Sequence, residues 1–264
     1  MNRSLLQWAL SCLLLVLPLS AAAWDEHTHE VIACLATKNL TPKTRKQVER
    51  ILGGAMADHA TWLNTQKRAI KGCDVWHNIL LDENNHPIKS GQDGLSKIAE
   101  QEKVLRNRKS YSLMEVATAL KSLIHIVSDM HCPSHVLFQD IPRSAGFKFA
   151  TTNNRTDNFA QRGTISWYNF WNDKYSTNRR GFSTEWSAYD LSVYAERNKA
   201  EWAKGSPNEW AEEQGRECRP LYAIFTEGRV IGPEVTNSLE DMHNRGAARA
   251  ALRLATLLNN IFAK

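Results

Sequence analysis

Residues 122–135 read SLIHIVSDMHCPSH, and both the fold and the chemistry turn on them. They follow Ser112-Leu-Met-Glu115, a capping-box pattern in which a serine hydroxyl and a glutamate carboxylate satisfy the first N–H groups of a helix. From there Val116, Leu120, Leu123, Ile124 and Val127 recur at helical spacing, and Pro133 stops the run. His125 and Asp129 are i and i+4, so both side chains leave one face of that helix a turn apart. Imidazole nitrogen and carboxylate oxygen are ordinary zinc ligands. The apolar neighbours Ile124, Ile126 and Val127 imply burial, and buried ionisable groups need partners. By itself an H-x-x-x-D pair reads equally well as a polar helix face with one satisfied histidine, so a site requires ligands from elsewhere.

Outward from this helix, the chain is helical almost throughout. Val31, Ile32, Leu35 and Leu40 predict a helix over 26–40. Thr41-Pro42 supplies an N-cap and a first-turn proline, and the helix it opens ends at Gly53-Gly54 after Leu52. Further helices are predicted over 95–105, 188–203, 208–226 and 238–262. Residues 140–165, rich in Asn, Arg, Thr and Gly, read as a long loop. Strand signals are weak, and no repeat or boundary divides the chain. The expectation is an all-α protein with a single helical domain over residues 24–264.

The first 23 residues predict a secretory signal peptide. Arg3 is its positive start, Leu5 to Leu19 its apolar run, and Ala21-Ala22-Ala23 its cleavage site. A secreted or periplasmic monomer without stable membrane insertion is expected, since no later stretch is apolar enough to span a bilayer. In an oxidising compartment Cys34, Cys73, Cys132 and Cys218 are candidates for one or two disulfides, with the pairing open. Zinc held by thiolates is disfavoured because no CxxC pair exists. The formal net charge of +5 tolerates phosphate ligands without pointing to nucleic acid.

Trp24, THEVIACLA (28–36), ATWLN (60–64), WHN (76–78) and IHIVSDMHCPSH (124–135), in this order, resemble the S1/P1 nuclease family. The segment RGAARAALRLATLLNNIF (245–262) is similar to that family's last helix. The resemblance implies a helical fold of the phospholipase C/S1-P1 nuclease type and a three-zinc centre acting on single-stranded nucleic acid or nucleotides. It puts one zinc on Trp24, His29 and Asp129, a second on His77, His125 and Asp129, and a third on His135.

Several positions depart from the family pattern. Asn64 stands where an aspartate is expected, and Tyr168 and Asn172 where a histidine and an aspartate are expected. Asp173 is adjacent to the last of these. Lys67 takes the place of an arginine, with Arg68 beside it, and Asn78 that of an aromatic residue. Neutral amide oxygen and un-ionised phenol are poor zinc ligands. Lysine lacks the fork that grips phosphate bidentately. Asn64 and Lys67 then occupy catalytic positions in altered form, and one or two zinc ions with impaired hydrolysis are expected. Two other functions fit the same residues: a non-catalytic paralogue that binds a nucleotide, lipid headgroup or partner, and a phospholipase C-like phosphoesterase. His27, His59, His86 and His243 match no ligand position, and His131 is expected just outside the ligand set.

Overall fold

The computed structural model describes residues 24–141, 148–151, 164–173 and 181–263. The predicted signal peptide lies outside them. The described helices are α1 (Glu26–Lys38), α2 (Pro42–Leu52), α3 (Gly94–Arg106), α4 (Leu113–Asp129), α5 (Trp167–Asp173), α6 (Thr184–Ala195), α7 (Lys199–Trp202), α8 (Pro207–Ile224) and α9 (Pro233–Phe262). Strands are short: β1 (Ile79–Leu81), β2 (Val136–Phe138), β3 (Lys148–Thr151), β4 (Thr164–Ser166) and β5 (Val230–Ile231).

Local chemistry sets most helix ends where the sequence places them. Thr41 caps α2 by accepting from the Thr44 N–H, and Gly53 closes it with a left-handed φ of 73°. The Ser112/Glu115 capping box is formed at the start of α4. Other boundaries move. The helix predicted over 188–203 starts earlier, because Ser183 caps it by accepting from the Trp186 N–H. It then breaks into a 3-10 turn, Glu196–Asn198, before α7. The last helix starts at Pro233, with proline again in its first turn.

The C-terminal half of α4 is the centre of the molecule. Every residue from Ser122 to Asp129 is buried, because α3, α2, α9 and α1 all pack around it. The all-α expectation holds, and the weak strand signals correspond to a few short strands. β1 and β2 form a parallel pair with Ile79 opposite Val136 and Leu81 opposite Phe138, all four buried. β3 pairs antiparallel with β4 and parallel with β5, so the segment read as one loop over 140–165 carries strands at 148–151 and from 164. Runs of two to four residues are too short to show the period of two that marks a strand.

The disulfide expectation is also corrected: the four cysteines Cys34, Cys73, Cys132 and Cys218 form none. Each is placed by its own packing. The Cys132 sulfur lies 3.2 Å from the Ser134 hydroxyl within its turn, Cys73 and Cys218 are core residues on different elements, and Cys34 lies half-buried on α1. Burial pushes the Cys34 and Cys73 thiols up, away from the reactive thiolate form.

Candidate metal centre

Asp129 ends α4, fully buried, with both carboxylate oxygens facing histidines from separate parts of the chain. His125 comes from the preceding turn of α4, and His29 from the buried face of α1. His77 closes a run of turns leading into β1, and His135 ends the single turn Pro133–His135 leading into β2. The β1–β2 register therefore brings these two histidines alongside each other.

The distances are short. Asp129 Oδ2 lies 2.6 Å from His77 Nδ1 and 3.0 Å from His125 Nε2, and those two nitrogens are 3.1 Å apart. Asp129 Oδ1 lies 3.3 Å from His29 Nε2 and 3.5 Å from His135 Nε2. His29 and His125 stack, with ring centroids 4.2 Å apart. His135 thus joins the Asp129 group directly. The arrangement offers two sets that could hold a metal ion: His29, His125 and Asp129, and His77, Asp129 and His135.

Hydrogen bonding fixes where the lone pairs point. His125 Nδ1 donates to the Ala60 carbonyl at 2.7 Å, which leaves Nε2 with its lone pair aimed at Asp129. His135 Nδ1 donates to Asn78 Oδ1 at 2.9 Å, with the same result. Asp129 Oδ1 and the Nε2 atoms of His29, His77 and His135 are buried without any hydrogen-bond partner. The 3.3 Å and 3.5 Å approaches are too poorly aligned to count as hydrogen bonds.

Electrostatics agree with that arrangement. Burial would raise the Asp129 carboxyl, but His125, His135 and His29 outweigh it and hold it well below the usual carboxylate range. Burial lowers His29 to about 4, helped by His125, and lowers His135 to about 3. The result is a buried carboxylate ringed by four imidazoles, of which His29 and His135 are held neutral. Such a cluster is costly unless a cation completes it, and a borderline divalent ion suits this donor set. The residues therefore fit zinc.

The remaining predicted residues are unevenly placed. Trp24 is fully buried beside the centre: its indole donates to the Ser128 carbonyl at 2.9 Å and meets His243 edge-on. Gly246 on α9 lets the His131 carbonyl approach closely, since a Cβ there would lie 2.8 Å from that oxygen. Asn64 sits in the 3-10 turn Trp62–Thr65 with its Oδ1 buried and unbonded. Tyr168 meets His135 edge-on at 5.9 Å with its hydroxyl likewise buried and unbonded. Burial and then the Asp129 charge push that phenol far up, so it keeps its proton. Lys67 is exposed and makes no ion pair among the described residues. The Asn172 side chain lies outside the described ones.

His131 turns away from the centre. Its Nδ1 donates to the Val127 carbonyl, and its Nε2 accepts from Arg253 on α9. What sequence reasoning missed is the role of Asn78, which accepts from His135 Nδ1. Its signal was present: WHN and PSH each precede an apolar triplet, ILL and VLF.

No curated protein matches the sequence. The family model described as S1/P1 Nuclease matches residues 24–263, nearly the entire length. That match takes in Asp129, the four histidines around its carboxylate, and Trp24 beside them, and the chain belongs to the S1/P1 nuclease family.

Proposed function

We propose that the chain is a zinc-dependent phosphodiesterase that hydrolyses single-stranded DNA, RNA or nucleotides at a reduced rate. One observation carries this reading: Asp129 Oδ1 and ring nitrogens of His29, His77 and His135 are buried without hydrogen-bond partners, and His125 joins them around the same carboxylate.

His29, His125 and Asp129 would hold one ion, and His77, His135 and Asp129 another, with Asp129 shared. Trp24, as the first residue of the exported chain, would add its main-chain amine and carbonyl to the ligands of the first ion. When bound, zinc supplies Lewis acidity, neutralising phosphate charge and making water a usable nucleophile near neutral pH. The chain's own groups do the rest. Neutral His29 and His135 keep their lone pairs available at any physiological pH. Asn78 and the Ala60 carbonyl orient two of the rings. Tyr168 remains a phenol and offers its O–H to a phosphate oxygen. Asn64 offers an amide where a carboxylate would bind an ion or take a proton, which is why the rate is expected to be low. Lys67 serves as an exposed point charge for the phosphate. Residues 1–23 are removed as a signal peptide, and the exported 24–264 chain acts as a monomer. A family match that begins at Trp24 is consistent with this.

Zinc-loaded protein, with and without chelator, is assayed on single-stranded and double-stranded DNA, RNA and nucleoside monophosphates. Chelator-sensitive cleavage favouring single strands is expected. Zinc uptake with no turnover of any of them supports the non-catalytic reading, and turnover of phosphatidylcholine alone the phospholipase one. Failure to retain zinc overturns the metal assignment itself.

A further inference from the structure

We infer that Asn78 is a positioning residue for the metal centre: its side-chain oxygen selects the His135 tautomer and aims Nε2 at Asp129. This rests on the metal assignment but concerns a residue outside the ligand set.

The argument starts from strand register. β1 and β2 run parallel with Ile79 opposite Val136. Stepping back one residue on each strand sets Asn78 beside His135, and side chains at matched positions of a pair lie on the same face. The contact follows: His135 Nδ1 and Asn78 Oδ1 are 2.9 Å apart. A neutral imidazole carries one proton, so donating from Nδ1 leaves a lone pair on Nε2. That Nε2 atom has no hydrogen-bond partner of its own and lies 3.5 Å from Asp129 Oδ1.

Asn78 is itself held. Its carbonyl accepts from the Gly94 N–H at 2.8 Å. A Cβ at Gly94 would come within 2.9 Å of the Trp76 carbonyl and 3.2 Å of the Asn78 carbonyl, so the first residue of α3 has to be glycine for this approach. The buried triplets of β1 and β2 fix the register, because a one-residue slip would turn Ile79, Leu81, Val136 and Phe138 out of the core. A rigid chain of contacts therefore runs from α3 through Asn78 to His135 and on to Asp129. Partners of this kind, bonded to the far nitrogen of a ligating histidine, fix its orientation and raise its basicity.

The test compares wild type with Asn78→Leu, which keeps the size and loses the acceptor, and Asn78→Asp, which keeps it. Imidazole nitrogen NMR on the zinc-free protein reads the tautomer, and competition with a chromogenic chelator reads zinc affinity. In wild type, His135 carries its proton on Nδ1. In Asn78→Leu the proton redistributes toward Nε2 and zinc binding weakens by about 10–100-fold. In Asn78→Asp both are restored to within a few-fold of wild type. A wild-type Nε2–H tautomer overturns the inference, and so does an equal loss in the leucine and aspartate variants, which marks a packing role. The tautomer is read without metal or substrate, so a chain that binds no zinc sinks the proposed function while Asn78 is still judged.

Discussion

Two buried polar clusters meet at His131, and they are built on opposite plans. On α9, Arg245, Arg249 and Arg253 recur at i, i+4 and form a ladder against α8. Arg249 pairs with Glu213 and Glu217 at 2.8 Å and 2.7 Å. Arg253 bonds Glu213, the Trp202 carbonyl and His131, and Arg245 bonds Asp241 and Glu217. Only the Nε atoms of Arg245 and Arg249 go without a partner there. On α4 the same i, i+4 device presents His125 and Asp129. There His77 Nδ1 bonds Asp129 Oδ2, yet five ring or carboxylate atoms of the centre remain unmet. Sequence distance does not sort them: His131, two residues from Asp129, belongs to the ladder. The ladder, where each carboxylate meets a guanidinium, holds helices together, whereas the centre leaves its acceptors open to the ion of the proposed function.

The ladder should fail as structure. Glu213→Ala leaves two nearly buried guanidinium groups short of a carboxylate. It should cost about 3 kcal/mol, the low end for breaking a buried pair because Arg249 keeps Glu217. Denaturant unfolding reads the loss, and zinc stoichiometry should not change. If stoichiometry falls instead, the two clusters are not separable.

The centre should fail as a binding site. Asp129→Asn removes the charge shared by both ion positions and should weaken zinc binding by at least about 100-fold, beyond the effect of losing an outer partner. Equilibrium dialysis measures it, and retained affinity would break the comparison outright.

Acid should separate the centre from an ordinary core. Unfolded histidines take up protons from pH 6.5 downward, while folded His29 resists to about 4 and His135 to about 3. The unfolded chain binds more protons over that interval, so zinc-free stability falls as pH drops below 6.5. The depressed Asp129 carboxyl adds a loss of the same sign below its ordinary range. A decline of about 5 kcal/mol between pH 7 and 4.5 is expected by denaturant titration, about half from each histidine, and His29→Gln should remove about half of it.

The smallest expected effect sharpens the comparison from the substrate side. Asn64→Asp with Tyr168→His and Asn172→Asp fills the missing ligand positions. It should raise single-strand hydrolysis by about tenfold or more. An unchanged rate means that these positions do not limit turnover.

Much of this was legible because it is local. Thr41-Pro42 and Gly53 state both ends of α2, and Ser112 with Glu115 states the start of α4. The ordered run of Trp24, His29, His77, His125, Asp129 and His135 carried the site. What escaped depends on tertiary contact. Strands of three residues have no readable period, so the β1–β2 register and the role of Asn78 were hidden. An even number of exported cysteines invites pairing, but only packing tells that Cys34, Cys73, Cys132 and Cys218 stay apart from one another. His131 looked like a neighbour of the centre because sequence does not show that Arg253 claims it.

The parallel pairing of β1 with β2 also sets an order in time. Its partners are separated by the whole of α3 and α4, and closing so long a segment costs entropy that must be met before the contact stabilises anything. Packing of α3 on α4 shortens that closure, so the entropy favours the helices forming before His77 and His135 come alongside. A nascent chain thus offers scattered histidines to a passing ion, each a weak ligand alone. The ion-holding arrangement appears only once the fold around it is complete.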